Sequence, residues 1–191
     1  KSGTTFNIAK GKNIIFKKKV IALGTKDKPI IFKKKSDAAW GTIALQGDST
    51  NNSIFRNVIF DGGSGGQLNN VKYTGALSIH NTKNIELTNI NMSNNKDFDD
   101  MLHIVYAKNI KIDSINIEDS FMDAIDIDMS NNIEIKNAKI KNSGNDAIDL
   151  MESDVIITDS NLNNSKDKAI SVGENSFLIL NNSILFKNNI G

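Results

Sequence analysis

The stretch Asn84-Ile85-Glu86-Leu87-Thr88-Asn89-Ile90 carries the motif that decides the fold, because its pattern of apolar and polar residues recurs along the chain. Successive copies begin 25, 23, 22 and 22 residues apart. An earlier copy, Asn52–Val58, begins 32 residues before Asn84, and the glycine-rich insertion Gly62–Gly66 accounts for the longer step. The later copies begin at Asn109, Asn132, Asp154 and Ser176.

A second series of short apolar stretches lies between these copies. Apolar residues alternate there with polar or small ones, which is the period of a strand with one buried face. Short strands in every repeat, without helical periodicity, predict coils that stack as parallel sheet. A propeller blade needs about 40 residues and a leucine-rich repeat has its own signature, so neither architecture fits. The second series comprises 76–79, 101–104, 124–127, 147–150 and 169–172.

We therefore predict an all-β chain that forms a parallel β-helix, or β-solenoid, of about 7–8 coils of 22–25 residues. We expect a single domain over 1–191, with irregular first coils over 1–50, an insertion over 62–74 and regular coils over 75–190. Terminal coils of a solenoid need polar caps, and we find no capping segment in the sequence. We expect a fragment of a longer chain, in end-to-end contact with further chain or with another protein.

Composition excludes several classes of protein and site. The 23 Lys+Arg nearly balance the 22 Asp+Glu, so the chain has no large basic field for nucleic acid. Without cysteine, it can form neither a disulfide nor a thiolate metal site. No apolar run reaches about 18 residues, so we expect no membrane insertion.

Turns must be made mostly by Asn, Asp and Ser, since the chain has 1 proline and 13 glycines. One polar column falls at the turn after the first strand of each coil. We expect side chains stacked there to bond along the solenoid as an asparagine ladder, which would satisfy backbone groups in a tight corner. The column comprises Asn57, Asn89, Ser114, Asn137, Asp159 and Asn181.

The second strand series defines an inner and an outer face. Ile125, Ile127, Ile148 and Leu150 are expected to point inward, so their neighbours should point outward in three columns. The small residues of the first column would leave a shallow groove for a sugar chain. The columns are Ala76, Met101, Ala124, Ala147 and Ala169; then Ser78, His103, Asp126, Asp149 and Ser171; then His80, Val105, Asp128, Met151 and Gly173.

Carboxylates gather in the outer columns. Asp126 and Asp149 would lie on adjacent strands about 4.8 Å apart, with Asp128 beside them and His103 one coil away. Two anions at this spacing repel, so one carboxyl should have a raised pKa or a cation should lie between them. Carboxylates about 5 Å apart serve retaining glycosidases, and oxygen-rich clusters bind Ca²⁺. Asp126, Asp128 and Asp149 are the candidate Ca²⁺ ligands. Alternatively, these aspartates only keep the sheet soluble.

A further column, Asp100, Asp123, Asp146 and Lys168, lies at the corner before these strands. We expect its carboxylates to accept hydrogen bonds from backbone N–H groups of the turn, with Lys168 neutralising the end of the stack.

Three segments, Asp123–Ser130, Ser143–Leu150 and Asp167–Ser176, resemble a known family. They look like the bacterial right-handed parallel β-helix repeat proteins of the pectate-lyase-like superfamily, closest to those associated with spore-coat-H-type kinase domains. The earlier segments 29–32 and 40–43 look like coils of the same proteins. The resemblance implies a right-handed β-helix in an extracellular, cell-surface or periplasmic location.

A more distant likeness is to polygalacturonases, whose active coils carry Asn-Thr-Asp, Asp-Asp and Gly-His-Gly. These align with 121–123, with Asn145-Asp146 and with 167–169, where Lys168 replaces the histidine. The departures argue against hydrolysis by that mechanism. Pectate-lyase-like catalysis uses a basic residue with Ca²⁺, and Lys168 is the basic residue placed for that role.

Three functions remain open at this point. The first is an exported or surface module whose Asp-rich face binds carbohydrate or a cation. The second is a polysaccharide lyase, hydrolase or epimerase, and the third is a structural subunit of a surface assembly. A groove closed by loops would favour the enzyme, whereas a flat, open face would favour the other two. The candidate catalytic residues are Asp126, Asp149, His103, Asp146 and Lys168.

Overall fold

In the computed structural model, which describes residues 1–190, the chain is a stack of β-coils with one short 3-10 helix at Asp48–Thr50. Within these residues no helical segment has both the length and the apolar character needed to cross a bilayer. The strands are β1 (Thr5–Ile8), β2 (Ile14–Phe16), β3 (Ile21–Leu23), β4 (Ile30–Lys34), β5 (Ile43–Gln46), β6 (Ile54–Asp61), β7 (Gly66–Leu68), β8 (Val71–Tyr73), β9 (Leu77–His80), β10 (Lys83–Ser93), β11 (Leu102–Val105), β12 (Lys108–Ser120), β13 (Ile125–Asp128), β14 (Asn131–Lys136), β15 (Lys139–Ser143), β16 (Ile148–Met151), β17 (Asp154–Thr158), β18 (Asn161–Asn163), β19 (Ile170–Val172), β20 (Phe177–Asn181) and β21 (Ile184–Phe186).

Successive coils pair in two long parallel sheets. Sheet A has the order β1-β4-β6-β10-β12-β14-β17-β20, with β3, β15, β18 and β21 joined to it, and sheet B has the order β19-β16-β13-β11-β9-β5-β2. Strand β12 pairs with β14 through its first half and with β15 through its second, so sheet A forms two sides of each coil. The 7 strands of sheet B give about seven turns, and the predicted all-β parallel β-helix is confirmed.

Stacking places like residues on like residues in the core. Ile125 pairs in register with Ile148, and Ile127 pairs with Leu150. All four side chains are fully buried, so the inward direction predicted for them is confirmed. Sheet A repeats the arrangement with the buried column Ile85, Ile110, Ile133 and Val155.

The first of the three columns assigned to the outer face was placed wrongly. Each of its residues lies just before a strand of sheet B, at the corner where the chain turns. The alternation of a strand does not hold at that corner, so Ala124 and Ile125 both face the interior. The expected alanine groove is therefore part of the core. The fully buried residues of this column are Ala76, Met101, Ala124, Ala147 and Ala169.

An asparagine ladder is present, but at the start of the repeated motif instead of at its end. The Asn84 side-chain amide donates to Asn52 Oδ1 at 3.1 Å, Asn109 donates to Asn84 at 2.9 Å, and Asn132 donates to Asn109 at 2.9 Å. All four residues have positive φ, a conformation that asparagine tolerates better than most residues. The ladder stabilises the same turn in four successive coils.

The column predicted to form the ladder has a different role. Asn57, Asn89, Ser114, Asn137 and Asp159 do have positive φ. Their side chains, however, bond outside the column: the Asn57 amide donates to the Gly24 carbonyl at 3.1 Å, and the Asn137 amide donates to Asp113 Oδ1 at 2.9 Å. The prediction identified a turn correctly and its hydrogen bonds incorrectly.

Serine hydroxyls form an additional ladder that the sequence analysis did not identify. The backbone N–H of Ala107 donates to Ser130 Oγ at 3.0 Å, that of Ser130 donates to Ser153 Oγ at 3.0 Å, and that of Ser153 donates to Ser176 Oγ at 3.3 Å. These hydroxyls supply acceptors to corner N–H groups that would otherwise be buried without a partner.

The insertion over 62–74 folds back as an antiparallel hairpin of β7 and β8. It packs near Trp40, which is fully buried and donates from Nε1 to the Asp61 carbonyl at 2.8 Å. A Cβ added at Gly63 would lie 2.5 Å from the Trp40 ring, so this close approach requires glycine. The hairpin is thus held against the coil of sheet B that contains β5.

Replacement of a core aliphatic residue tests the stacked core. Ile148→Ala should lower the free energy of unfolding by roughly 2–5 kcal/mol, because the neighbouring coils cannot collapse into the cavity. Ile156→Ala is the matched control, since Ile156 lies on β17 and is 38% exposed. Chemical denaturation would measure both changes. Equal losses for the two variants would contradict the inward direction assigned to Ile148.

Candidate functional site

Sheet B places one cluster of polar side chains on its outer surface, here called the carboxylate face. His103 on β11, Asp126 on β13 and Asp149 on β16 are Cα partners across three successive coils. Asp128 lies two residues beyond Asp126, so it points to the same side of the sheet. The strands are about 4.8 Å apart and in parallel register, so these side chains lie next to one another along the sheet.

Two histidines and two aspartates form a chain of contacts on this face. His80 Nε2 lies 3.2 Å from His103 Nδ1. His103 Nε2 in turn lies 3.4 Å from Asp128 Oδ2 and 3.8 Å from Asp126 Oδ2. Within residues 1–190, His103, Asp126 and Asp128 are the one group of three or more His, Cys, Asp or Glu residues whose ligand atoms all lie within 4.8 Å of one another.

The hairpin closes one end of the carboxylate face. The Tyr73 ring stacks on His80 with 4.9 Å between ring centroids, and its hydroxyl donates to Gln46 Oε1 at 3.1 Å. His80 and His103 are consequently buried, at 4% and 7% exposure. Beyond them, Asp126, Asp128 and Asp149 are half-buried and Met151 is exposed. The site is a half-open shelf with a wall at its N-terminal end.

Burial and crowding raise the pKa values of the carboxyls at the centre of this site. Desolvation, followed by repulsion from Asp100, Asp128 and Asp149, raises the pKa of Asp126 to about 9. Asp100 lies behind it, and desolvation together with the Asp99 charge raises the pKa of Asp100 to about 8. Both shifts favour the protonated carboxyl, since ionising either group would bury a further negative charge among others.

His80 has the opposite shift. Burial, and then the proximity of His103, lower its pKa to about 3. The ring is therefore neutral at physiological pH and presents one nitrogen donor and one acceptor.

The corner column behaves as predicted at Asp123, Asp146 and Lys168, whereas the Asp100 side chain interacts with the side chains of Thr74 and Asp126. Asp123 Oδ1 accepts hydrogen bonds from the Asp146 backbone N–H at 2.7 Å and from the Asn145 amide at 2.9 Å, and Asp146 Oδ1 accepts from the Lys168 backbone N–H at 2.6 Å. Lys168 Nζ lies 3.7 Å from Asp146 and 2.6 Å from Asp167. The hydrogen bond to Asp167 raises the pKa of Lys168 and so favours its charged form.

The structure thus separates the predicted site residues into two groups. His103, Asp126 and Asp128 come together, and Asp149 lies in register one strand further along the face. Asp146 and Lys168 belong to the corner pair. The predicted Ca²⁺ set Asp126, Asp128 and Asp149 remains a prediction.

Sequence reasoning missed the contributions of His80, Tyr73 and Asp100. His80 pairs with Val105 in the sheet, so its contact with His103 is diagonal and does not appear in a single column. Tyr73 belongs to the insertion, whose path does not follow from the repeat. For Asp100, one feature of the sequence indicated a role, which was its position in the corner column.

The pH dependence of stability tests these carboxyls. Above about pH 7 the unfolded chain carries Asp126 and Asp100 ionised, whereas the folded chain keeps a proton on Asp100 up to about pH 8 and on Asp126 up to about pH 9. Stability should therefore fall as the pH rises toward 9. His80 does not contribute to this change in stability. Its pKa is lowered from 6.5 to about 3, so both values lie below the window. Calorimetry in chelator should show a melting temperature that decreases with pH, and Asp126→Asn should flatten the slope. Glu134→Gln, on the exposed side of β14, is the control. A melting temperature that rises across this window would contradict the assignment.

Comparisons with known proteins agree with the fold. The chain overlays a glycosyl hydrolase described as putative from Parabacteroides merdae with a TM-score of 0.55, at 12% identity, over 92% of this chain and 83% of that one. It overlays the catalytic domain of a GH87 α-1,3-glucanase in complex with tetrasaccharides with a TM-score of 0.66, at 13% identity. That overlay covers 94% of this chain but 34% of the glucanase domain, so the chain spans about a third of it.

No curated protein matches the sequence. The family model described as "Right handed beta helix region" matches residues 43–190, which is most of the chain. These residues include all the coils that build the carboxylate face. The chain belongs to the right-handed β-helix family.

Proposed function

We propose that the protein binds an uncharged polysaccharide along the carboxylate face. The observation that carries this proposal is the polar row of His103, Asp126, Asp149 and Ser171, which runs across four successive strands and is half-exposed from Asp126 onward. The row offers hydrogen-bond acceptors about every 4.8 Å, and sugar hydroxyls are donors to such groups. A polymer with a short repeat can therefore use equivalent contacts on successive coils.

Charge favours a neutral glycan over a polyuronate. The single arginine, Arg56, lies on β6 of sheet A, away from the face. Lys168, at the corner, is already paired with Asp167 and Asp146. Without a bound metal ion, an anionic sugar would therefore meet carboxylates with no free side-chain cation to receive it. Met151, which is 44% exposed between the carboxylates and the open end, offers an apolar contact for the C–H surface of a sugar ring.

The similar structures support this proposal at the level of the fold. A glucanase domain with the same architecture is known in complex with tetrasaccharides, so a β-helix of this kind is compatible with glycan binding. We further propose that the protein acts in an extracellular, cell-surface or periplasmic location of a bacterium, where polymeric glycans are found.

Binding measurements with matched variants test the proposal. Calorimetric titration with neutral oligosaccharides should show binding that Asp149→Ala weakens by about tenfold or more, since a hydrogen bond to a charged group contributes about 1.5–3 kcal/mol. Glu134→Ala, a carboxylate of sheet A, should leave the affinity unchanged. Tighter binding of oligouronates, or equal losses in both variants, would contradict the proposal. Absence of binding to any glycan would favour the structural subunit.

Hydrolysis or elimination of the bound glycan is a second candidate function. It is favoured by the register of Asp126 and Asp149 on adjacent strands, which approaches the separation of about 5–5.5 Å between the carboxyls of retaining glycosidases. Assays for new reducing ends and for unsaturated products would detect either reaction. Asp126→Asn and Asp149→Asn should each abolish product formation if this function is correct. Binding without any product would leave the protein as a binding module.

A further inference from the structure

We propose that His103, Asp126 and Asp128 bind one divalent transition-metal ion of the Zn²⁺ class at the walled end of the carboxylate face. This inference goes beyond glycan binding and does not depend on it. The site would use His103 Nε2 and one carboxylate oxygen from each aspartate.

The two distances from His103 Nε2 to the carboxylate oxygens are close to those around a small metal ion, and all three ligand atoms lie within 4.8 Å of one another. Metal–ligand bonds of about 2.0–2.2 Å at tetrahedral angles place neighbouring ligand atoms about 3.3–3.6 Å apart. His103 Nε2 lies 3.4 Å from Asp128 Oδ2 and 3.8 Å from Asp126 Oδ2, so little movement is needed to surround an ion. The fourth position would face the open side of the shelf and would be available to water or to a sugar hydroxyl.

The orientation of His103 is fixed by a partner of the kind that metal-binding histidines use. Such a histidine usually donates from its second ring nitrogen to an acceptor, which holds the ring and selects the tautomer. His103 Nδ1 lies 3.2 Å from His80 Nε2, and His80 is itself held by stacking on Tyr73. In the metal-bound form, His103 would carry its proton on Nδ1 and donate it to His80. The Nε2 lone pair would then bind the ion in place of the hydrogen bond that Nε2 otherwise makes with Asp128 Oδ2 at 3.4 Å. The His103 side chain is more than nine-tenths buried, so the orientation of its ring is imposed by packing.

The carboxyl groups around the site also favour the binding of a cation. Asp100 and Asp123 are buried behind Asp126, and Asp149 lies beside it. Among the ion pairs of residues 1–190, those that involve Asp126 or Asp128 have only His103 as a partner. A divalent ion at this position would take the place of the proton on Asp126 and would offset the repulsion among the neighbouring carboxyl groups.

The ligand set distinguishes this site from the Ca²⁺ site predicted from the sequence. Ca²⁺ takes six to eight oxygen ligands in a loose shell, whereas imidazole nitrogen suits Zn²⁺ and its neighbours in the first transition series. Asp149 lies outside the group of mutually close ligand atoms. The imidazole, and not Asp149, therefore supplies the third ligand.

Metal titration of the full chain tests the site. Protein treated with chelator and then dialysed against Zn²⁺ should retain one ion per chain by elemental analysis, and its melting temperature should rise by mass action. Co²⁺ should give a visible absorption spectrum of low-coordinate nitrogen and oxygen ligation. Ca²⁺ at the same concentration should change neither measurement. A rise with Ca²⁺ but not with Zn²⁺ would overturn the proposal.

Variants separate the ligands from their neighbours. His103→Ala and Asp128→Asn should each abolish binding of the ion. Asp128 is half-buried, so Asp128→Asn replaces the histidine variant as the test if His103→Ala fails to fold. His80→Phe keeps an aromatic ring against Tyr73 but removes the acceptor, so it should weaken Zn²⁺ binding by about 10- to 100-fold. Glu134→Gln should retain the ion. Retention of Zn²⁺ by His103→Ala, or its loss in Asp149→Asn, would refute this ligand set. Glycan titrations carried out in chelator measure glycan binding without a metal ion. A failure of the metal site can therefore be told apart from a failure of glycan binding.

Discussion

The parallel pairing of each coil with the next is the interaction on which the rest of this structure depends. Because the hydrogen bonds run between coils, paired residues lie far apart in sequence. They are 22–25 positions apart from β9 onward and 26–34 positions apart in the earlier coils. The repeat therefore places residues of the same type on one another in successive coils. Ile125 lies on Ile148, Phe6 stacks on Phe32 with 4.7 Å between ring centroids, and Asn109 bonds to Asn84. Apolar and amide columns are stabilised by such stacking.

The same register has the opposite effect on carboxylates. Identical charges on adjacent strands repel, and the sequence repeats aspartate at the corner and on the outer face. The corner aspartates are tolerated because Asp123 and Asp146 accept hydrogen bonds from backbone N–H groups. On the outer face, by contrast, Asp126 is left with neighbouring charges and few donors, and its pKa is raised to about 9. Strain of this kind persists in a fold when other interactions outweigh it, and it often marks a functional site.

The hairpin is the feature that breaks the symmetry of the solenoid. Without it, each coil of sheet B would present a similar open surface. Tyr73 lies over His80, which buries the histidine pair and gives the carboxylate face one closed end and one open end. This asymmetry gives the sheet a buried end at the two histidines and a half-exposed row beyond them. The proposed ion site and the proposed glycan row share His103 and Asp126, and the row continues past them through Asp149 and Ser171.

The sequence by itself determined the repeat, the parallel β-helix and the register that aligns His103, Asp126 and Asp149, because periodicity is a local property that the pattern of residues encodes directly. It also identified the backbone-binding role of Asp123 and Asp146. The buried position of Ala124 and the location of the asparagine ladder depended on how the chain turns its corners, where strand alternation no longer applies. The contact between His80 and His103 and the cover provided by Tyr73 were decided only by tertiary structure, since one is diagonal across two coils and the other comes from an insertion outside the repeat.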